Sequence, residues 1–215
     1  MNIRLSKNYF IIFMVLIFGV ICGSAAGAFF ALTHDLPQIR SLENFRPDAV
    51  TRIYSADKIL LAELFIEKRE PVPLETIPRL LRAALVATED RKFYKHSGVD
   101  LKGIARAIIK DIKAGEFVEG ASTITQQLSK TLFLTPRKTL VRKIKEAILA
   151  FQLERRYTKD EILELYLNEF YYGNMSYGVE AAAQTYFGTS AQNLTLAQAS
   201  FLAGLPQLPS VYDPY

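Results

Sequence analysis

Two glutamates in this chain have neighbours that would push their acidities in opposite directions. Ile77, Leu81 and Leu85 recur at helical spacing, and Glu89 continues that stripe one turn past Leu85. A carboxylate on an apolar stripe loses part of its hydration, and desolvation raises its pKa. A glutamate raised in this way can take up or give a proton near neutral pH. Asp90, about 100° further round the helix, is expected to turn toward the rim.

Glu146 has the opposite surroundings. Arg142 stands four residues before it and Lys143 three before, so both cations reach it on a helix face. Such neighbours hold a carboxylate in its charged form. Lys130, Arg137, Lys138 and Lys145 extend the basic cluster. A raised carboxylate near a basic cluster suits group transfer with an anionic leaving group. The cations stabilise charge developing on a departing pyrophosphate while the carboxylate takes the proton of an attacking hydroxyl. Each feature also has a plainer reading: a helix end near solvent for Glu89 and an exposed ion pair for Glu146.

The elements that must position these groups are nearly all helical. Ile77, Leu80, Leu81, Ala84, Leu85 and Thr88 mark one helix. Asp100 can cap a second, with Leu101, Ile104, Ala105, Ile108 and Ile112 on one face and Lys102, Arg106, Lys110 and Lys113 on the other, ended by Gly115. That basic amphipathic helix reads as a solvated surface helix, or as one resting on lipid headgroups. Thr123 with Gln126 fits a capping box for a helix through Leu132. Thr135-Pro136 reads as the cap and first residue of a long helix to about Tyr157, expected to be buried on two sides: Leu149 and Leu153 beside Glu146, and Leu140, Ile144, Ala147, Ile148 and Phe151. Thr158 with Glu161 opens Lys159–Glu169, and further helices are expected over about 179–187 and 195–202, stopped by Gly188 and Gly204. Before them, Val50 to Glu67 reads as a hairpin turning at Ser55-Ala56-Asp57-Lys58.

Residues 9–32 carry no charge, enough for a helix to cross a hydrocarbon core of roughly 30 Å. Arg4 and Lys7 precede the segment, so the positive-inside rule leaves residues 1–8 as a cytoplasmic tail and everything downstream outside. A cleaved signal peptide is the rival, with small residues from Gly23 to Ala28 to be cut, but the apolar run is long for one. Residues 33–73 then form a linker and hairpin stalk, and 74–215 a mainly α domain. The net charge of +4, from 26 Lys+Arg against 22 Asp+Glu, gives no argument for nucleic acid but suits an anionic membrane or a phosphorylated substrate. A single cysteine, Cys22, rules out an intrachain disulfide, and two histidines do not suggest a zinc site.

Five segments resemble the signatures of family 51 glycosyltransferases, best known from class A penicillin-binding proteins. Glu89-Asp90-Arg91-Lys92-Phe93-Tyr94-Lys95-His96-Ser97-Gly98 resembles the first, and Gly120-Ala121-Ser122-Thr123-Ile124-Thr125-Gln126-Gln127-Leu128-Ser129-Lys130 the second. Arg142-Lys143-Ile144-Lys145-Glu146, Lys159 to Asn168, and Ala181 to Gly188 are similar to the third, fourth and fifth. The resemblance covers about residues 75–215. It implies a lysozyme-like helical fold on the outer leaflet of the bacterial inner membrane, held by a single-pass anchor. Its substrates would be lipid II and the growing glycan strand.

By that resemblance Glu89 is the general base. It deprotonates the 4-hydroxyl of the acceptor GlcNAc, whose oxygen attacks C1 of the lipid-linked MurNAc with inversion, releasing undecaprenyl pyrophosphate. Glu146 matches a second essential glutamate, and Lys130, Arg137, Arg142 and Lys143 match positions holding the pyrophosphates. Ser122, Thr123, Gln126 and Gln127 would line the donor cleft at a helix N-terminus, where free N–H groups favour an anion. Asp90 is carried over as substrate-binding, and His96 as a structural hydrogen-bonding group. No cofactor is required; Mg²⁺ is an optional aid that can bridge a carboxylate and a pyrophosphate, the alternative being that Glu146 orders the basic cluster. Residues 115–120 would be a mobile stretch over the cleft.

Ser55-Ala56-Asp57-Lys58 matches the S-x-x-K of penicillin-acylating domains only by chance, and Lys138-Thr139-Leu140 lacks the glycine of K-T-G. The chain is expected to be part of a longer bifunctional protein, of the 1A type by its stalk, with contacts to other wall-synthesis proteins. Two alternatives stay open: a lysozyme-like lytic enzyme acting on glycan, and a non-catalytic membrane-anchored scaffold.

Overall fold

The structure, a computed structural model, describes residues 2–34, 36–37, 39, 51–65, 67–115, 120, 122–137, 139–207 and 212. Most of the linker, the centre of the 115–120 stretch, Lys138 and most of the last eight positions lie outside the described residues. Helix α1 (Asn2–His34) contains one segment, Tyr9–His34, long and apolar enough to cross a membrane, and none of it is buried in the protein. Strands β1 (Thr51–Tyr54) and β2 (Leu60–Leu64) form the expected antiparallel hairpin, pairing Thr51 with Leu64. Its turn uses Ser55 as a brace, the hydroxyl accepting from the N–H of Ile59 at 3.0 Å. The chance S-x-x-K match is therefore turn chemistry.

The rest is helical: α2 (Arg79–Glu89), α3 (Leu101–Ala114), α4 (Ile124–Phe133), α5 (Leu140–Glu154), α6 (Lys159–Glu169), α7 (Val179–Phe187) and α8 (Leu196–Gly204). Both expected capping boxes exist, Thr123 with Gln126 and Thr158 with Glu161. A third, Thr195 with Gln198, opens α8. The core gathers Leu81 and Leu85 of α2, Leu128 of α4, Leu149 and Leu153 of α5, Ile162 and Tyr166 of α6 and Leu202 of α8. Helix α2 packs on α8, and α4 on both α5 and α6. Strand β3 (Lys68–Arg69) pairs in parallel with β4 (Ser176–Tyr177), tying the stalk to the helical domain. Arg69 reinforces that tie by pairing with the buried Glu169 at the end of α6.

Two expectations are corrected. Helix α5 begins at Leu140 with Thr139 as its cap, accepting from the N–H of Arg142 at 3.1 Å, and not at Thr135-Pro136. Thr139 supplies the side-chain acceptor for the first free N–H groups of α5, whereas Thr135 makes no capping bond among the described residues. The second correction concerns packing. The Leu149–Leu153 face of α5 is buried, but the other apolar face is open, with Leu140 81% and Phe151 51% exposed. The partners α4 and α6 cover the Leu149–Leu153 face of α5, and among the described residues the other face stays largely uncovered despite its contact with α1. Helix α3 is open in the same way, its Leu101 and Ile112 each 75% exposed.

The first signature loop is fastened to α5 through Gly98. Its φ is +93°, and a Cβ there would lie 2.8 Å from the carbonyl oxygen of Ala150. Both features demand glycine. Gly98→Ala should lower stability by about 1–3 kcal/mol in urea unfolding followed by circular dichroism. Gly204→Ala, where an added Cβ meets nothing within 4 Å, should stay within about 0.5 kcal/mol.

Candidate active site

Helix α2 ends on Glu89, so its apolar stripe delivers the carboxylate half-buried at the edge of the core. One carboxylate oxygen, Oε2, accepts from Gln127 Nε2 at 2.7 Å. The other, Oε1, is buried with no hydrogen-bond partner among the described residues. Burial raises the Glu89 pKa; the Gln127 bond opposes this, Asp90 adds to it, and Lys130 lowers it. A carboxylate with one oxygen anchored and one free, made more basic by its surroundings, is equipped to receive a proton.

Glu146 lies across from it on α5 and is 2% exposed. Arg142 donates to Oε1, and Lys143 Nζ lies 2.8 Å from Oε2. Lys143 also donates to Ser122 Oγ at 2.7 Å, joining the segment before α4 to α5. Lys130 of α4 links the two halves. Its ammonium is half-buried, and burial lowers its pKa; Glu146 raises it, Arg142 and Lys143 lower it, and Glu89 raises it. Both glutamates therefore act on one lysine. The arrangement is a proton acceptor beside a cationic wall, which can receive an anionic leaving group as a hydroxyl is deprotonated.

A family model described as Transglycosylase matches residues 57–215. The chain belongs to the transglycosylase family. Penicillin-binding protein 1A of Escherichia coli (strain K12) is 46% identical over 207 residues, which is 96% of this chain and 24% of that protein. Penicillin-binding protein 1A of Rickettsia bellii (strain RML369-C) is 45% identical over 204 residues, 94% of this chain and 26% of that one. The chain thus spans about a quarter of the length of these curated relatives. A crystal structure of penicillin-binding protein 1A from Haemophilus influenzae aligns with TM-score 0.40 and 29% identity, covering 78% of this chain and 15% of that one.

Within this transglycosylase domain several expected site residues have internal partners. Asp90 does not turn to the rim: it is buried, and its Oδ2 accepts from His96 Nε2 at 2.8 Å and from the N–H of Ile124 at 3.1 Å. Because the N–H of Gly98 donates to His96 Nδ1, the ring proton sits on Nε2, and His96 is the structural group expected of it. The anion at the start of α4 is therefore the protein's own Asp90. Thr123 and Gln126 carry out the capping that their spacing suggested. Both are 2% exposed and spend their side chains on the capping box, with Thr123 also donating to the carbonyl of Gly98. Arg137 lies exposed in the α4–α5 connection and makes no contact with the Glu146 cluster among the described residues.

Sequence reasoning missed the aromatic floor of the site. Tyr166 of α6 donates to Gln127 Oε1 at 3.0 Å, and Tyr172 is close enough for Glu89's charge to add to the effect of burial in raising its pKa. Tyr166 shares the apolar stripe of Ile162, and a buried tyrosine needs a partner for its hydroxyl, the signal that pointed to it.

Glu89's folded pKa lies above its unfolded value. Its contribution to stability is fully present below the ordinary glutamate range and is lost as pH rises through the raised value. Glu89→Gln cannot ionise and escapes that loss. Its Tm should exceed the native chain's by a few degrees at neutral pH, roughly what relaxing a functional site yields, with the gain vanishing in acid. Differential scanning calorimetry across pH checks this.

Proposed function

We propose that this chain polymerises lipid II into glycan strands, with Glu89 as general base. Glu89 Oε1 takes the proton of the acceptor 4-hydroxyl. The freed oxygen forms a bond to C1 of the lipid-linked donor as the bond from C1 to the pyrophosphate oxygen breaks, and undecaprenyl pyrophosphate leaves with the electron pair. The observation that carries this reading is the buried, unpartnered Oε1 of Glu89 beside Lys130 and the braced pair Arg142 and Lys143. A lytic enzyme would need the same raised carboxylate but has no use for a cationic wall at a leaving diphosphate.

Glu146 acts in this proposal by ordering the cations. Each of its oxygens already accepts from a cationic side chain, Arg142 on one and Lys143 on the other, so a Mg²⁺ ion there would compete with these cations and be repelled by them, and a single carboxylate among cations does not fit a magnesium ligand set. Ser122 fixes Lys143 in the same wall. We further propose that α1 is a single-pass anchor with its N-terminus in the cytoplasm and the catalytic domain outside. The open apolar faces of α3 and α5 then lie against the outer leaflet, where the lipid-linked substrates are held.

The test uses the purified full chain in detergent with labelled lipid II. The native chain should yield polymer, and Glu89→Gln should lose at least about 100-fold in turnover while still binding lipid II. Turnover retained in that variant overturns the assignment. Because the base must be ionised, the rate should fall on the acid side with an apparent pKa above the ordinary glutamate range, as burial of Glu89 dictates. An acid limb at or below that range would contradict the proposed base.

A further inference from the structure

We propose that Tyr166 is a positioning residue: its phenol locks the Gln127 carboxamide in the one orientation that aims an N–H at Glu89. The inference rests on the base assignment above for its functional meaning, though its geometry stands alone. Three side chains from three helices form a directed chain. Tyr166 of α6 donates to Gln127 Oε1 at 3.0 Å, and Gln127 of α4 donates from Nε2 to Oε2 of Glu89 on α2 at 2.7 Å. A carboxamide is nearly symmetric in shape, so packing alone does not decide which end faces the carboxylate. The phenol decides it. An O–H against Oε1 is a hydrogen bond, whereas an amide turned over would donate from Nε2 to the phenolic oxygen and leave the buried O–H of Tyr166 without its acceptor.

The phenol is well suited to the task. Tyr166 is fully buried and stacks on Phe170 with ring centroids 4.8 Å apart, so its hydroxyl has little freedom to turn elsewhere. Burial first, then the nearby Glu89 and Tyr172, hold its pKa well above the usual phenol range, so it stays a donor across the working pH. The charged groups acting on Glu89 are Asp90 on its own segment and Lys130 from α4, while the neutral phenol of Tyr172, following α6, is itself raised by Glu89. Helix α8, which packs most closely on α2, carries no ionisable side chain.

The locked orientation favours the ionised base. A protonated Glu89 could gain an acceptor if the amide turned over and offered Oε1, but that turn would strip the buried Tyr166 O–H of its acceptor. Removing the hydroxyl frees the amide to stabilise the protonated acid, so the carboxylate becomes harder to ionise. Tyr166→Phe should therefore move the acid limb of kcat, measured on the full chain at saturating lipid II, upward by about 0.5–1 pH unit. The rate on the alkaline plateau should change far less than the rate at low pH.

Gln127→Met removes the donor itself and should move the limb in the same direction. The double variant should move it no further than Gln127→Met alone, because Tyr166 acts through Gln127. Carbon-13 titration of the Glu89 carboxylate, assigned by its disappearance in Glu89→Gln, reads the same shift without turnover. A failure of the base assignment would appear as an unchanged pH–rate profile with a shifted carboxylate titration. An unmoved carboxylate titration in Tyr166→Phe, or a double variant with additive shifts, overturns the proposal. Should Tyr166→Phe fail to fold, an unmoved titration in Gln127→Met overturns it equally.

Discussion

Lys130, Arg142 and Lys143 can share one half-buried cluster because Glu146 stands among them. Cations a few ångströms apart repel strongly once water is partly excluded, and a buried carboxylate left unpaired is just as costly. Each problem is the other's solution. Glu146 takes one cation on each oxygen, and its charge also supports the lowered ammonium of Lys130. The geometry comes from one turn of α5, with residues 142, 143 and 146 on adjoining positions and Leu149 and Leu153 anchoring the same face in the core. Lose the pairing and the wall loses both its charge balance and its fixed shape.

Glu89, the proposed proton acceptor, depends on a second internal pairing. Asp90, next in sequence to Glu89, occupies the free N–H at the start of α4 and fixes His96, which in turn receives the N–H of Gly98. Gly98 sits against the backbone of α5, so the loop after α2 is bound to both helices of the cationic wall. Glu89 and Gln127 are thereby held at a constant separation. The adjacent carboxylates divide the labour by environment: Asp90 is satisfied by donors, and Glu89 is left with one oxygen uncommitted. This is the usual way two acids of similar intrinsic strength acquire different roles.

Local signals in the sequence were reliable where the chemistry is local. Capping boxes at Thr123 and Thr158 marked the starts of α4 and α6, because cap and acceptor lie three residues apart. The stripe ending at Glu89 gave its partial burial, and the spacing of Arg142, Lys143 and Glu146 gave their pairing. What failed was non-local. Periodicity placed Asp90 on the rim of a helix, but α2 ends at Glu89 and the chain turns inward, so helical angles no longer apply. Thr123 and Gln126 carry residue types suited to a ligand and a cap alike, and their burial at the start of α4 was not legible from spacing. The β3–β4 pair has two residues in each strand, too short for any pattern, and Tyr166 meets Gln127 across 39 residues.

An apolar helix face states that water is unwelcome there, but not what replaces it. The stripe of Leu149 and Leu153 and the stripe of Leu140, Ile144 and Phe151 read alike along α5, yet one is core and the other open. Contiguous exposed apolar surface on a soluble domain is a liability for association. Here it lies on α5, the helix that carries the cationic wall and touches the apolar α1. If α1 spans a bilayer, the open faces of α3 and α5 come within reach of its surface, and the lysines and arginines of the same helices face the zone of phosphates. In the proposed reaction the apolar and basic halves of these helices then answer a single requirement: a substrate whose tail must remain in lipid while its diphosphate is drawn against the cationic wall.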